Sequence, residues 1–463
     1  MFRRITGLDS DADRIAALNA ELKTLYLKLV NLVQHDEPAM DAVAQALMWR
    51  HTLSEYEEVM AGISRYLRHP TRKVGDQPVT FFNLPTFEAS EDSHAMRQEV
   101  RQHLMDEATH IVDSIDGCLA RQREVAAEYG RTPLDCFCRA EGLDEPTLRS
   151  LIETIGDQAR PAFERLFPSY ARRILGEDTP ADFTDLMALC RNRDMQLCDP
   201  FVGGVNLVEV ARRTIQMMGF DPERITMDVE ARPAKFPSAL VMAVRPPHDV
   251  RISVLPSGGF NMLCALLHEL GHAVHYSSLE PNLPLWKRRP DFGTAETFSN
   301  WLEMLLEQPS YLRAVLGFNE EQVAEALGVA RLRGLIIMTW RSALSLSVVD
   351  FWSGAAPDFA ALEERLREYG RRFTGLEVPE GYAPLDHFAR NATFNVVGFP
   401  VAYARLGHIY TQLEAGEAEW WCRPEAINEL KGYMKRGRDA GFPTEWLDPE
   451  AILARYVHPN VTG

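Results

Sequence analysis

The chain's 463 residues are 46% apolar and 25% charged, the proportions of an ordinary globular protein, and long enough for two or three compact units or one body split by a cleft. Its 49 basic and 66 acidic side chains give a formal charge of −17, and the longest basic cluster, Lys287-Arg288-Arg289, stops at Pro290-Asp291. So acidic a chain repels phosphate backbones and anionic lipid, which excludes nucleic acid as a first reading of its partner.

The N-terminus carries Arg3 and Arg4 but no apolar core of a signal peptide, and no run of 18 consecutive apolar residues occurs anywhere. A cytoplasmic protein without a membrane span is expected; oligomeric state leaves no mark. Helical spacing of apolar residues predicts helices over about 11–34 and 40–67. Gly75, Pro78, Asn83 and Pro85 break the segment from Thr71 to Asp92 into a loop or short extended excursion. A long helical segment is expected from about Ser93 to Tyr129, with Gly130 as its C-cap, and one or two helices from Asp144 to Leu175. Seven cysteines without repeating spacing, among them the pair Cys136 and Cys138, read as buried thiols in a reducing compartment rather than a zinc knuckle.

The character changes after Asp199-Pro200, which suggests a helical N-terminal half or lid (1–200) and a second half (201–463) that carries the chemistry. A helix over about 205–218 ends at Gly219, and three strand-like runs follow at 225–229, 239–244 and 250–255. Helical periodicity resumes at Asn261 and persists to the end. The expected fold is mainly α, with one small sheet just before a helix over about 260–278.

That helix contains His268-Glu269-Leu270-Gly271-His272, the H-E-x-x-H pattern. Residues four apart share a helix face, so both imidazoles are able to bind one zinc ion, and Glu269 stands beside it as general base for a metal-activated water. The competing reading, two incidental histidines on a solvated face, fits poorly with the apolar run around them, because unpaired polar groups in a core are costly. A metzincin is excluded: His275 stands where that motif needs glycine and Ser278 where it needs a third histidine.

A third ligand is therefore sought downstream, among Glu280, Asp291, Glu296 and Glu303. Glu280 precedes Pro281 only eight residues after His272, and Asp291 lies in a turn. Glu296, Ser299 and Glu303 fall on one face of an apolar helix over about 294–307, and two acids on such a stripe require a partner. Glu296 is the expected ligand, and Glu303 the expected hydrogen-bond partner of an imidazole N–H.

The run His268 to His275, followed by Glu296-x-x-Ser299-x-x-x-Glu303, closely resembles the thimet oligopeptidase and oligoendopeptidase F family of zinc peptidases. That family is related to carboxypeptidase Taq and angiotensin-converting enzyme. Asp249-Val250-Arg251-Ile252-Ser253 and the stretch from Arg341 to Asp350 extend the likeness, which covers about Phe201 to Gln412. The resemblance implies two largely helical halves flanking a deep channel, one Zn2+ per chain at its floor, short peptides as substrates, and a supporting role for His275 and Ser299. In the family a histidine and tyrosines of a late helix bind the oxyanion. The comparable stretch, Asn395 to Arg405, keeps only Tyr403, with Phe399 and Val401 where tyrosines are expected; His387 and Tyr382 are the available substitutes, and His408 lies nearby. This departure keeps a second reading open, a zinc hydrolase or biosynthetic enzyme of the same fold acting on a non-peptide small molecule. A third, a degenerate member that only binds, has no use for Glu269. Arg251, Arg341, Arg390 and Arg405 are all candidates to meet a substrate carboxylate.

Overall fold

Helices dominate because apolar residues recur every three or four positions and polar side chains cap the ends. The computed structural model describes residues 72–457, apart from 82, 233, 234, 236, 237, 256, 257, 393, 394 and 417. The helices expected at 11–34 and 40–67 lie outside the described residues. Those that follow are α1 (Leu84–Ser90), α2 (His94–Ala108), α3 (Val112–Glu128), α4 (Pro133–Glu141), α5 (Glu145–Leu175), α6 (Phe183–Cys190) and α7 (Leu207–Met217). After the strands come α8 (Phe260–Ser278), α9 (Phe292–Glu303), α10 (Pro309–Leu316), α11 (Glu320–Ile336), α12 (Ser342–Ser353) and α13 (Phe359–Thr374). The chain closes with α14 (His387–Asn391), α15 (Asn395–Gly416), α16 (Asn428–Lys435) and α17 (Glu450–Tyr456).

The long helical segment after Ser93 is two helices rather than one. The Thr109 hydroxyl donates to the Asp106 carbonyl at 2.7 Å and a short 3-10 turn, Thr109–Ile111, separates α2 from α3. Gly130 follows α3 in the left-handed region, φ +64°, as a C-cap residue does. The Asp144 side chain accepts from Thr147 N at 2.8 Å and starts α5, which runs as one helix through Pro161 and Pro168. None of the seven cysteines forms a disulfide.

Two small sheets occur where one was expected. Gly75, at φ +58°, turns the chain so that β1 (Arg72–Val74) pairs antiparallel with β2 (Gln77–Val79), a hairpin inside the segment expected as a loop or short extended excursion. The other sheet has the order β3-β5-β4, with β3 (Ile225–Asp228) parallel to β5 (Asp249–Ser253) and β4 (Leu240–Arg245) antiparallel at the edge, Val241 opposite Ile252. It lies against α8.

α8 is almost wholly buried, which its apolar run demands. Its first turn is fixed from a distance: Asp199 Oδ1 accepts from Phe260 N at 2.7 Å. α8 packs along α9, and α9 along α15. α9 begins on a buried acid of α4. Glu141 accepts from Thr294 N at 2.9 Å and pairs with Arg405 Nη1 of α15 at 2.6 Å, so one carboxylate holds three helices together. α11 and α12 join through a π turn, Ile337–Arg341. Together, Glu320–Ser353 is long and apolar enough by composition to cross a membrane, yet 83% of its apolar window is buried inside the protein. It is a core helix.

Candidate metal centre

Two crossing helices place the site. At the α8–α9 crossing the backbones touch at Gly271: a Cβ there would lie 2.4 Å from the Phe298 carbonyl oxygen. That approach lets side chains on the adjoining turns converge. His268 Nε2 lies 3.5 Å from Glu296 Oε2, and His272 Nε2 lies 3.8 Å from Glu296 Oε1. Ligand atoms from all three residues fall within 4.8 Å of one another. A tetrahedral zinc ion with bonds of about 2.0–2.1 Å sets its ligand atoms roughly 3.3 Å apart, so the two imidazoles and the carboxylate fit such an ion with small adjustments.

Two of the three donors are held from behind. His268 Nδ1 meets Glu303 Oε2 at 2.7 Å, which fixes the ring and turns Nε2 toward Glu296. Glu303 Oε1 accepts from Cys264 Sγ at 3.0 Å and pairs with Arg333 Nη2 at 2.9 Å. On the other side, Ser299 Oγ donates to Glu296 Oε2 at 3.1 Å, and Asn300 Nδ2 reaches the same oxygen at 3.3 Å. Glu303 and Ser299 thus stand where the sequence places them. Asn300 is a residue that sequence reasoning missed, although its position four after Glu296 on a helix is a signal for it. Arg333 and Cys264 were also missed, and only Cys264, one turn before His268, is local. His272 Nδ1 is buried and has no hydrogen-bond partner among the described residues.

Burial works against His268 carrying a proton, but the Glu303 hydrogen bond and the charges of Glu296, Glu303 and Glu269 outweigh it and push its pKa up to about 9. The neighbouring carboxylates thus favour a positive charge on the His268 ring, whereas burial holds His272 neutral. Glu303 goes the other way: burial opposes ionisation, yet Arg333 and His268 hold it down to about 2. Burial holds Glu269 above the usual carboxylate range, partly offset by His268 and by a hydrogen bond from Val241 N. That bond, 2.7 Å to Oε2, comes from the edge strand β4, and no described residue hydrogen-bonds Oε1.

For His275 the resemblance implied either a contact behind the ligands or a structural role, and its surroundings are those of a core residue. It is fully buried, neither ring nitrogen has a hydrogen-bond partner among the described residues, and its ring packs 4.3 Å from Phe298. Burial pushes its pKa down to about 3, as for a neutral core histidine.

The expected oxyanion donors are not brought together. Tyr403 is buried, its ring against Tyr456, and its phenol is raised well above the usual value by burial and then by Glu303 and Glu307. Tyr382 is a core residue, packed edge-on against Phe183 with its hydroxyl 3.0 Å from Met187 Sδ. A phenol enclosed by core side chains does not face a substrate. His387 is exposed, beside Asp386 and Arg390, and His408 stacks on Trp446. The tyrosine near the site is instead Tyr276, two turns past Glu269 on the same helix face and half-buried, with Glu296 and Glu269 as its charged neighbours. Its spacing of seven from Glu269 was the available signal.

Among the four arginines, Arg405 is committed to Glu141, Arg251 makes two bonds to Asp249 (2.6 and 2.7 Å), and Arg390 donates to the Pro384 carbonyl. Arg341, at the π turn, lies 5.0 Å over the Phe399 ring, with Asp386 and Glu296 among its charged neighbours. A second cluster among the described residues, His94, Asp182 and Asp185, has the spacing of a metal site. Its oxygens are already engaged: Asp185 pairs with buried Arg97 at 2.7 Å, and Asp182 caps α6 through Thr184 N. The guanidinium in contact disfavours a second cation there.

No protein-family model and no curated protein matches the chain. Solved structures do match. The chain is similar to PZ peptidase A over 96% of its length and 77% of that protein's, at 14% identity and a TM-score of 0.59. It is similar to a protein assigned as an oligoendopeptidase F from Bacillus anthracis over 99% of its length and 80% of that chain's, at 11% identity and a TM-score of 0.57. These likenesses establish a shared mainly helical fold.

Proposed function

We propose that the chain is a zinc metallopeptidase that hydrolyses short peptides, with His268, His272 and Glu296 as metal ligands and Glu269 as general base. The observation that carries this reading is the convergence of two imidazole nitrogens and one carboxylate, 3.5 and 3.8 Å apart, beside an acid whose second oxygen takes no hydrogen bond from the described residues. The fold shared with PZ peptidase A and oligoendopeptidase F supports the peptide as substrate. Zinc held there would supply a Lewis acid that activates water and polarises a carbonyl.

The protein's own groups do the rest. Val241 N–H holds Glu269 Oε2, so the carboxylate is oriented before substrate arrives. Glu269 Oε1 takes a proton from the attacking water and delivers it to the amine nitrogen as the peptide bond breaks. Tyr276, whose charged neighbours are Glu296 and Glu269, would donate its hydroxyl to the negative oxygen of the tetrahedral state, a role worth about 3 kcal/mol where it has been removed in other enzymes. Arg341, with Glu296 among its charged neighbours, is a candidate to meet a substrate carboxylate.

The burial of Tyr403 and Tyr382 favours a second reading, hydrolysis or transfer on a non-peptide small molecule by the same metal and base. One experiment separates the two. Zinc-loaded protein and its Glu269→Gln variant are each incubated with a mixed library of short peptides, and the products are read by mass spectrometry. Cleavage by the first alone supports the peptidase. Silence from both, with one zinc per chain measured, overturns it in favour of the second reading.

A further inference from the structure

Arg333 belongs to α11, whereas the metal donors come from α8 and α9. Its guanidinium nevertheless reaches the back of the site. Nη2 pairs with Glu303 Oε1 at 2.9 Å, and Nη1 donates to Asn192 Oδ1 and Met195 Sδ, both at 3.2 Å. Asp194, a charged neighbour of Arg333, is 1% exposed, with neither carboxylate oxygen hydrogen-bonded among the described residues. The fork is thus anchored at both ends, one arm on Glu303 and the other on the short 3-10 helix Arg193–Val202 and the residue before it. Glu303 in turn meets His268 Nδ1 at 2.7 Å. A carboxylate on the stem of a helix has rotamer freedom to lose before it orients anything, and a two-armed guanidinium removes that freedom better than a single point charge.

We infer that Arg333 is a positioning residue for the metal centre: it pins Glu303, and Glu303 fixes the His268 ring with Nδ1–H turned inward and Nε2 turned toward Glu296. This rests on the proposed metal reading, and the site would take a divalent ion of the zinc class. The coupling runs in sequence across 65 residues from His268 to Arg333. Cys264, whose thiol donates to the same Glu303 oxygen, closes the carboxylate's remaining side.

The test is zinc affinity of the metal-free full-length protein, measured by competition with a chromophoric chelator, with the visible spectrum of the cobalt(II)-loaded form beside it. Arg333→Met keeps bulk and removes the fork. It is expected to bind zinc roughly 10–100-fold more weakly and to shift the cobalt bands, the size of effect that outer partners of ligating histidines show. Glu303→Ala is expected to lose as much, and Arg333→Met added to it to cost nothing further, because the arginine acts through the acid. A folded Arg333→Met protein with wild-type affinity and spectrum overturns the inference, as does full additivity with Glu303→Ala. Should Arg333→Met not fold, Arg333→Lys replaces it. Lysine reaches Glu303 without also spanning Asn192, and roughly 10-fold weaker binding is expected; wild-type affinity overturns the inference there too. A wild-type chain that binds no zinc overturns the metal reading and this one with it, whereas zinc binding without peptide cleavage leaves the role of Arg333 standing.

Discussion

Gly271 and Ser299 touch backbone to backbone: a Cβ on residue 271 would come within 2.7 Å of the Ser299 Cα. The glycine between the two histidines of the motif is therefore what allows α8 and α9 to cross closely enough for Glu296 to reach both imidazoles. Real Cβ atoms do not approach backbone this closely, so the helices must separate if one is added.

Gly271→Ala is expected to destabilise the fold by about 1–3 kcal/mol, the usual cost of overpacking, and to weaken metal binding because the ligands part. Thermal unfolding of the metal-free protein and zinc titration check this. Unchanged stability together with unchanged affinity would show that the crossing relaxes without moving the site.

The pH dependence follows from Glu269, held above the usual carboxylate range chiefly by burial. A general base works when deprotonated, so activity rises with pH through the base's own pKa. The acidic limb of kcat/KM is accordingly expected above about 4.3, the ordinary glutamate value. A profile already flat at pH 4.5 for the intact, metal-loaded protein would remove Glu269 from that role.

The Glu141–Arg405 pair is buried on both sides and carries the start of α9. Arg405→Met leaves the Glu141 carboxylate without its counter-charge in the core, and a loss of about 3–5 kcal/mol is expected. Chemical denaturation measures it. A loss below 1 kcal/mol would mean that the Thr294 N–H and hydroxyl suffice to hold the acid.

Local rules account for much of what was legible in the sequence. H-E-x-x-H puts two imidazoles on one helix face wherever the helix forms, and Glu296, Ser299 and Glu303 share a stripe of α9 for the same reason of period. The three strands next to the site could be read from their β-branched runs and flanking prolines. The hairpin at 72–79 was legible only as a loop or short extended excursion, because strands of three residues carry too little alternation to stand out.

Tertiary structure decided the rest, through contacts that no spacing encodes. Arg333 arrives at Glu303 from α11, Glu141 at Thr294 from α4, and Val241 N–H at Glu269 from the edge of a sheet. Whether a tyrosine faces substrate or core depends on which helix packs over it, so Tyr403 and Tyr382, plausible by position, are enclosed, while Tyr276 stays half-open beside the acids. The sequence alone determined which candidate donor atoms are present and the helix period that puts them on one face. How rigidly they are held, and which groups surround them, was set by the close packing of helices far apart in the chain, where burial gives each long-range hydrogen bond and charge pair its strength.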